Sequence, residues 1–173
     1  AGGRRHAAIS AFGFGGTNAH VVVAEPVSIE APVSAPWSGP AIVVLSARTV
    51  AQLKQQAQGL VDFIAASATP VDLGSLAYTL QVGREPMEER LGLVVESVDQ
   101  LAETLQAYLR DEAEVEDLYL GQVKRHKEML TLFSTDADLQ QAVDRWLSGR
   151  KYGKVVELWV KGLEVQWSRL YDG

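Results

Sequence analysis

The middle of the chain alternates between short apolar runs and longer stretches with helical periodicity. Apolar runs at 41–47 (AIVVLSA), 91–97 (LGLVVES) and 118–123 (LYLGQV) predict three strands. Between and after the first two runs, apolar residues recur every three or four positions and predict three helices. Their predicted inward faces are Leu53, Ala57, Leu60, Val61 and Ile64; Leu73, Leu76, Ala77 and Leu80; and Leu101, Leu105, Tyr108 and Leu109. The pattern predicts an α/β (α+β) domain in which a small three-stranded sheet packs on helices.

Polar residues at the ends of these stretches predict where the helices begin and stop. Thr49 with Gln52, and Ser97 with Gln100, have the spacing of a capping box. Asp72 precedes the second helix as a predicted N-cap. Gly83 stands where a helix often closes on a left-handed residue.

The C-terminal part is rich in basic and aromatic residues. Helical spacing predicts a helix over 136–148, burying Leu139, Val143, Trp146 and Leu147, and a second over 153–161, burying Val155, Val156, Trp159 and Val160. The final VQWSRLY is predicted to be extended. Exposed Trp and Tyr among Arg and Lys are typical of interfaces, so for Trp146 and Tyr152 both core and interface positions stay open.

The N-terminal part predicts a strand, a glycine turn and a second strand within 7–24. A dinucleotide-binding loop needs G-x-G-x-x-G entering a helix, whereas Asn18 occupies the third position and a valine run follows. The Lys of a P-loop is absent as well. The glycines therefore predict a tight turn between two buried strands and not a phosphate-binding loop.

A proline-rich stretch separates the two parts. Four prolines fall within residues 25–40, and each removes an amide donor and fixes φ, which predicts an extended linker. Trp37 within it is expected to dock on a neighbouring surface. The predicted organisation is therefore 1–24, a linker at 25–40, and a domain at 41–173.

Charge and composition exclude several classes of function. A net charge of −6 argues against a general nucleic-acid binder, and the absence of cysteine excludes disulfides and a cysteine nucleophile in this chain. No apolar run is long enough to span a membrane, and no signal peptide is evident, so a cytoplasmic location is expected. The histidines lack metal-like spacing, and no metal site is predicted. A basic cluster at 124–127 is interpreted either as a solvated loop or as a site that attracts an acidic partner.

His20 is interpreted as a hydrogen-bonded structural residue, because no G-x-S-x-G nucleophile motif accompanies it. A Ser-His-Asp triad stays an open alternative. Acidic pairs such as Glu88 with Glu89 are interpreted as solvated surface. No catalytic residue is predicted in this chain.

The N-terminal sequence RRHAAISAFGFGGTNAHVVVAEP resembles the C-terminal end of a polyketide-synthase ketosynthase. The resemblance implies a thiolase fold and an active-site loop formed by Phe12, Gly13, Phe14, Gly15, Gly16, Thr17 and Asn18. It makes Phe14 a candidate gating aromatic beside the acyl pocket. In the family, the catalytic Cys and both catalytic His lie upstream of this motif, and His20 matches neither. Without a cysteine, this chain alone is not expected to form the acyl thioester.

The segments VVLSARTVAQLKQQAQGLVDFI and DLGSLAYTLQVGREPMEERLGLVV resemble the small α/β flanking domain that follows such ketosynthases. The segment beginning YLGQVKRHKEML is similar to the trans-acyltransferase branch, in which a separate enzyme supplies the extender unit. A helical insert at about 130–154 resembles the segment through which neighbouring synthases associate side by side.

These resemblances imply a non-catalytic structural and docking domain that positions the upstream ketosynthase body and mediates lateral self-association. The candidate interface residues are Leu139, Val143, Trp146, Arg150, Tyr152 and Lys154. One alternative is a docking platform for a free-standing acyltransferase or an acyl carrier protein. Another is a piece that contributes the active-site glycine loop to a ketosynthase. No cofactor is expected in the chain itself, while phosphopantetheine-bound acyl chains are expected on partner carrier proteins.

Overall fold

The computed structural model describes residues 4–26, 37–113, 115–125 and 137–171, without the side chains of 125 and 137–140. The chain divides into two units, Ala1–Ala35 and Pro36–Gly173. The first unit is a hairpin of β1 (His6–Phe12) and β2 (Asn18–Ala24), paired antiparallel with Phe12 opposite Asn18. The predicted strand, glycine turn and strand are confirmed. Both strands are exposed in this chain and not buried as predicted.

The second unit contains a three-stranded antiparallel sheet in the order β3-β4-β5. Its strands are β3 (Ala41–Ala47), β4 (Glu89–Val95) and β5 (Leu118–Gln122). Helices α1 (Val50–Ala66) and α2 (Leu73–Val82) connect β3 to β4, and α3 (Val98–Leu109) connects β4 to β5. Helices α4 (Ala137–Ser148) and α5 (Tyr152–Lys161) follow, and short 3-10 turns lie at Val123–Arg125 and Trp167–Leu170.

Alternating side chains of the sheet fill two separate cores. On one face, Val43, Leu45 and Leu93 pack with the buried sides of α1, α2 and α3. On the other face, Ile42 and Val44 pack with α4, α5 and the C-terminal turn. Because helices cover both faces, β3 is almost entirely buried, as its continuous apolar run indicates. The prediction of a small three-stranded sheet packed on helices is confirmed.

Two glycines let α5 lie very close to the sheet. A Cβ on Gly92 of β4 would fall 2.3 Å from Cγ1 of Val156. A Cβ on Gly121 of β5 would fall 2.3 Å from the carbonyl oxygen of Val160, a backbone atom that side-chain rotation cannot move. The position of α5 therefore depends on the absence of side chains at these two points.

The predicted helix starts are confirmed. Thr49 Oγ1 accepts the Gln52 amide at 3.3 Å, and Asp72 Oδ2 accepts the Ser75 amide at 2.7 Å. Ser97 Oγ accepts the Gln100 amide at 3.1 Å. Gln100 Oε1 in turn accepts the Glu96 amide at 2.7 Å, so this helix start resembles a capping box shifted by one residue.

Two local predictions were wrong. Gly83 has φ −86° and ψ 4°, outside the left-handed region, because its amide continues the helical hydrogen bonding to the Thr79 carbonyl. The segment predicted as extended contains the turn Trp167–Leu170, since Trp167 is buried against Trp159 with ring centroids 6.1 Å apart.

Candidate functional site

The glycine loop between β1 and β2 is held by two backbone hydrogen bonds. The Gly13 amide donates to the Thr17 carbonyl at 2.8 Å, and the Gly16 amide donates to the Gly13 carbonyl at 3.0 Å. Gly16 has φ +88°, in the region that favours glycine, and a Cβ on Gly13 would meet the Thr17 oxygen at 2.7 Å. The turn therefore requires glycine for its own geometry.

The predicted active-site loop, 12–18, presents its side chains to solvent in this chain. Phe12 is 80% exposed, and Phe14 is fully exposed at the tip of the hairpin. At the other end of the hairpin, Arg5 Nη2 and Glu25 Oε1 form an ion pair at 2.7 Å. The Arg5 side chain, and then its backbone amide, hold the pKa of Glu25 below its ordinary value through hydrogen bonds. The hairpin thus has defined ends while its apolar side chains lie open.

The structure pairs His20 with Ser10. Ser10 Oγ and His20 Nδ1 lie 2.8 Å apart, and the two residues face each other across the strands. Both are exposed, and among the described residues no carboxylate is hydrogen-bonded to this ring. A cross-strand pair accounts for the contact, and it favours the interpretation of His20 as a structural residue.

The candidate interface residues separate into two groups. Val143 and Tyr152 are 2% and 8% exposed and belong to the core beneath α4 and α5, so a partner has no access to them in this packing. Arg150 and Lys154 are exposed, and Trp146 is half-buried with the Lys154 ammonium 5.7 Å from its ring. The side chain of Leu139 lies outside the described residues.

The exposed members lie on a basic stretch. Arg145, Arg150, Lys151 and Lys154 are all exposed within ten residues of one another. Of the other basic cluster, Lys124 forms an ion pair with Glu88 at 2.7 Å, while His126 and Lys127 lie outside the described residues. Basic charge is thus concentrated around the turn between α4 and α5.

Arg90 lies outside the strand predicted over 91–97, whereas the structure shows it as a buried residue of β4. It is 6% exposed, its Nη1 donates to the Trp159 carbonyl at 2.6 Å, and its guanidinium lies 4.8 Å from the Trp159 ring. Burial lowers the pKa of Arg90, and the negative charge of Glu164 opposes that shift. The carbonyls at the end of α5 and the aromatic face stabilise the charge. Arg90 ties the sheet to α5, and two-residue alternation along β4 was the signal that could have indicated it.

A groove of about 660 Å³ lies between α1, α2 and the C-terminal turn. Its lining is largely apolar and includes Leu60, Phe63, Trp159 and Trp167. Of the described residues that line it, Ser46 has the one hydroxyl, and its oxygen accepts the Met87 amide at 2.9 Å. None of the hydrogen bonds described for this part of the chain joins the Ser46 hydroxyl to a carboxylate or a histidine.

Within the described ranges, no three His, Asp or Glu side chains converge as a metal site would require. None of the helices in the same part of the chain combines the length and the apolar character needed to cross a membrane.

Several known proteins that are similar to this chain are polyketide synthases. Residues 44–112 match the model of a family described as the RhiE-like KS-MAT linker domain. Polyketide synthase PksN of Bacillus subtilis strain 168 is 40% identical to this chain over 96% of its length. Polyketide synthase PksL of the same strain is 41% identical over 97% of it. Polyketide synthase ThaG of Burkholderia thailandensis is 33% identical over 98% of it. The chain spans only 3–4% of the length of these relatives.

Solved structures give the same assignment. The ketosynthase from module 6 of the bacillaene synthase of Bacillus subtilis 168 is 37% identical, with a TM-score of 0.72 over 99% of this chain and 28% of its own. The ketosynthase from module 1 of the bacillaene synthase of Bacillus amyloliquefaciens FZB42 is 35% identical, with a TM-score of 0.69 over 95% and 28%. The chain therefore belongs to the ketosynthase and linker region of modular polyketide synthases, with a RhiE-like KS-MAT linker domain at residues 44–112.

Proposed function

We propose that this chain is a non-catalytic structural part of a polyketide synthase. In this proposal β1 and β2 complete the sheet of a ketosynthase body. The second unit, which contains the matched residues 44–112 and is called the linker domain from here on, holds neighbouring domains in position. The observation that carries the proposal is the exposure of apolar side chains on both faces of the hairpin. Val21 and Val23 are 55% and 51% exposed on one face, and Val22 is 62% exposed on the other.

A two-stranded hairpin is marginally stable on its own in water. Complete burial of a fully exposed valine or isoleucine side chain contributes about 1.5–3 kcal/mol, and each of these side chains still has roughly half of that to gain. A partner that covers both faces is therefore strongly favoured. The similarity to ketosynthases extends through these strands and supports a ketosynthase body as that partner.

The linker domain has the features of a rigid spacer. Helices cover both faces of its sheet, and α2 covers the edge of β3, where Gln81 Nε2 donates to the Ile42 carbonyl at 2.6 Å. The groove beside α1 and α2 is lined largely by apolar side chains. A closed domain of this kind supports a positional role over a catalytic one.

Amide hydrogen exchange tests the proposal. We compare this chain alone with a longer chain that carries the ketosynthase body upstream. The Val21–Val23 amides are expected to exchange much more slowly in the longer chain, because the sheet is completed there. The amides of Leu91 and Leu93 in β4 serve as controls and should be equally protected in both. Equal exchange at Val21–Val23 in the two proteins would contradict the proposal.

For the linker domain we further propose lateral self-association through the members of the predicted interface that are not buried, the half-buried Trp146 and the exposed Arg150 and Lys154. The Trp146 ring lies beside the Lys154 ammonium, and aromatic residues and Arg are enriched in protein interfaces. The resemblance of this segment to the lateral-contact insert of synthases supports the same role. The buried Val143 and Tyr152 serve this surface only indirectly, by fixing the packing of α4 and α5.

Sedimentation velocity across a range of concentrations tests self-association. Trp146→Ala with Lys154→Ala is expected to weaken a reversible dimer without changing the circular dichroism spectrum. Phe63→Ala is the matched control, because Phe63 is 54% exposed on α1, away from this surface. A dimer that both variants retain, or that both lose, would place the contact elsewhere.

The concentration of basic charge favours a second candidate, docking of an acidic partner such as a carrier protein of a trans-acyltransferase synthase. Four exposed basic residues at 145–154 contrast with the net charge of −6 of the whole chain. Electrostatic docking weakens steeply with ionic strength, whereas the contribution of the Trp146 ring to a dimer persists. Titration of a carrier protein at low and high salt therefore separates the two candidates.

A further inference from the structure

The first and last described residues of the linker domain lie side by side. Trp37 and Tyr171 have ring centroids 5.7 Å apart, tilted at 49°. The Tyr171 ring also meets Tyr78 of α2 edge-on, with centroids 4.9 Å apart at 90°. Residues separated by almost the whole domain in sequence therefore share one platform on α2.

Trp37 is fixed on this platform from two sides. A Cβ on Gly74 of α2 would fall 2.8 Å from the Trp37 Cβ, so the glycine provides the space for the indole. The indole Nε1 donates to the Gly39 carbonyl at 3.1 Å. The beginning of the domain is thus held in one orientation.

Tyr171 is connected through Gln81 to the edge of the sheet. Its hydroxyl donates to Gln81 Oε1 at 2.9 Å, and Gln81 Nε2 donates to the Ile42 carbonyl at 2.6 Å. Gln81 is 6% exposed. Because a buried amide needs both partners, removing the Tyr171 hydroxyl leaves a buried acceptor unpaired. The end of the domain is therefore bonded to the strand with which the domain begins.

We propose that Trp37, Tyr78, Gln81 and Tyr171 form an aromatic clasp that holds the two ends of the linker domain together. The segments that precede Trp37 and follow Tyr171 then leave the domain from one point. The domain acts as a module attached at the side of the chain and not as a rod placed between its neighbours. This inference rests on the proposed positional function and specifies its geometry: the length of the domain does not set the distance between the flanking segments.

Distances between paired spin labels test the clasp, and the cysteine-free chain provides a clean background. Labels at Ser38→Cys and Asp172→Cys report on the two ends. A second pair, Ser38→Cys and Glu103→Cys, uses the exposed surface of α3 and reports on the fold. The unmodified clasp is expected to give one short, narrow distance between the ends.

Tyr171→Ala and Trp37→Ala are each expected to remove the narrow peak and shift the end-to-end distance upwards, while the reference pair stays unchanged. A narrow peak that survives both substitutions, with the reference pair unchanged, would overturn the clasp. Should Tyr171→Ala also disturb the reference pair, Tyr171→Phe decides. It keeps the ring and removes the hydroxyl, so an unchanged narrow peak would contradict the role of Gln81.

The two proposals fail separately. Loss of the clasp is expected to leave the exchange of the Val21–Val23 amides in the longer ketosynthase chain unchanged. Fast exchange there with an intact clasp contradicts the proposed role of the hairpin alone.

Discussion

Strands β2 and β3 have the same length and similar sequences, NAHVVVA and AIVVLSA, and opposite surroundings. Val22 in β2 is 62% exposed, whereas Val43 in β3 is completely buried. The same residue type in the same backbone conformation thus differs only in what covers it. Local sequence determines that a strand forms, and the neighbouring elements of the fold determine whether it is buried.

The two units also differ in whether they bury their own apolar side chains. Helices cover β3 on both faces, and an α2 side chain covers its edge. The hairpin has exposed apolar residues on both faces. Its described contacts at the turn, at the strand ends and between Ser10 and His20 all lie within the hairpin itself. We therefore expect substitutions in the linker domain to change its free energy of unfolding. Substitutions in the hairpin are expected to leave the unfolding of this chain unchanged and to matter only when a ketosynthase body is present.

Truncating one buried and one exposed side chain gives the largest expected contrast. Leu93→Ala is expected to destabilise the linker domain by about 2–5 kcal/mol, because Leu93 is fully buried and a cavity remains. Val22→Ala is expected to have no measurable effect on the unfolding of this chain. Urea unfolding followed by tryptophan fluorescence measures both, since all four tryptophans lie in the linker domain. An equal loss of stability would contradict the division into two units.

Glycine substitutions test the close approach of α5. Gly121→Ala is expected to cost about 1–3 kcal/mol or more, because the new Cβ meets the Val160 carbonyl. Gly59→Ala, on the exposed face of α1 with no atom near the new Cβ, is expected to stabilise by about 0.5–1 kcal/mol. Gly15→Ala in the hairpin loop should leave unfolding of the linker domain unchanged. A stabilising effect of Gly121→Ala in thermal unfolding would mean that α5 does not lie against β5.

The features that were predicted correctly depend on interactions between residues that are close in sequence. Thr49, Asp72 and Ser97 were correctly predicted as helix N-caps, because each contact joins residues three apart in sequence. The errors have tertiary causes. The turn at Trp167 depends on Trp159, and Arg90 is buried because α5 ends above β4.

For the candidate interface too, the sequence pattern did not determine which side chains are buried. Helical spacing identified Val143 as an apolar position, and Tyr152 was noted as an aromatic residue just before the second predicted helix. Neither signal says which apolar side chains meet the sheet. The glycine loop was recognised by its residues, while its exposure in this chain depends on the elements around it.

Arg90 tests whether polar contacts reinforce the second core. Arg90→Ala is expected to cost about 1–3 kcal/mol, because it leaves the Trp159 carbonyl without its donor in a buried site. Arg90→Lys keeps the charge but loses the geometry of the guanidinium, and we expect a smaller loss. Arg5→Ala is the matched variant in the hairpin, where the ion pair with Glu25 is exposed and should not affect the linker domain. Denaturant midpoints that rank Arg5→Ala above Arg90→Ala in effect would contradict this account.

The smallest expected effect belongs to the N-cap of α2. Asp72→Ala is expected to cost about 1 kcal/mol at neutral pH, because the Ser75 amide loses its acceptor. Hydrogen bonds from the Ser75 side chain and then its backbone hold the pKa of Asp72 below its ordinary value. This contribution is present above the unfolded-state pKa of about 3.9 and is lost as the pH falls through the lower folded-state pKa.

Unfolding at pH 7 and at pH 2–3 checks this sign. The difference between Asp72→Ala and the unmodified chain should shrink on acidification, whereas Asp72→Asn, which keeps a capping oxygen without titrating, should differ little between the two pH values. Glu25→Gln is the hairpin counterpart, because the Glu25 carboxylate also has a lowered pKa but lies outside the linker domain. We expect that variant to leave the acid unfolding of the linker domain unchanged, so a shared pH response would show that the two units unfold together.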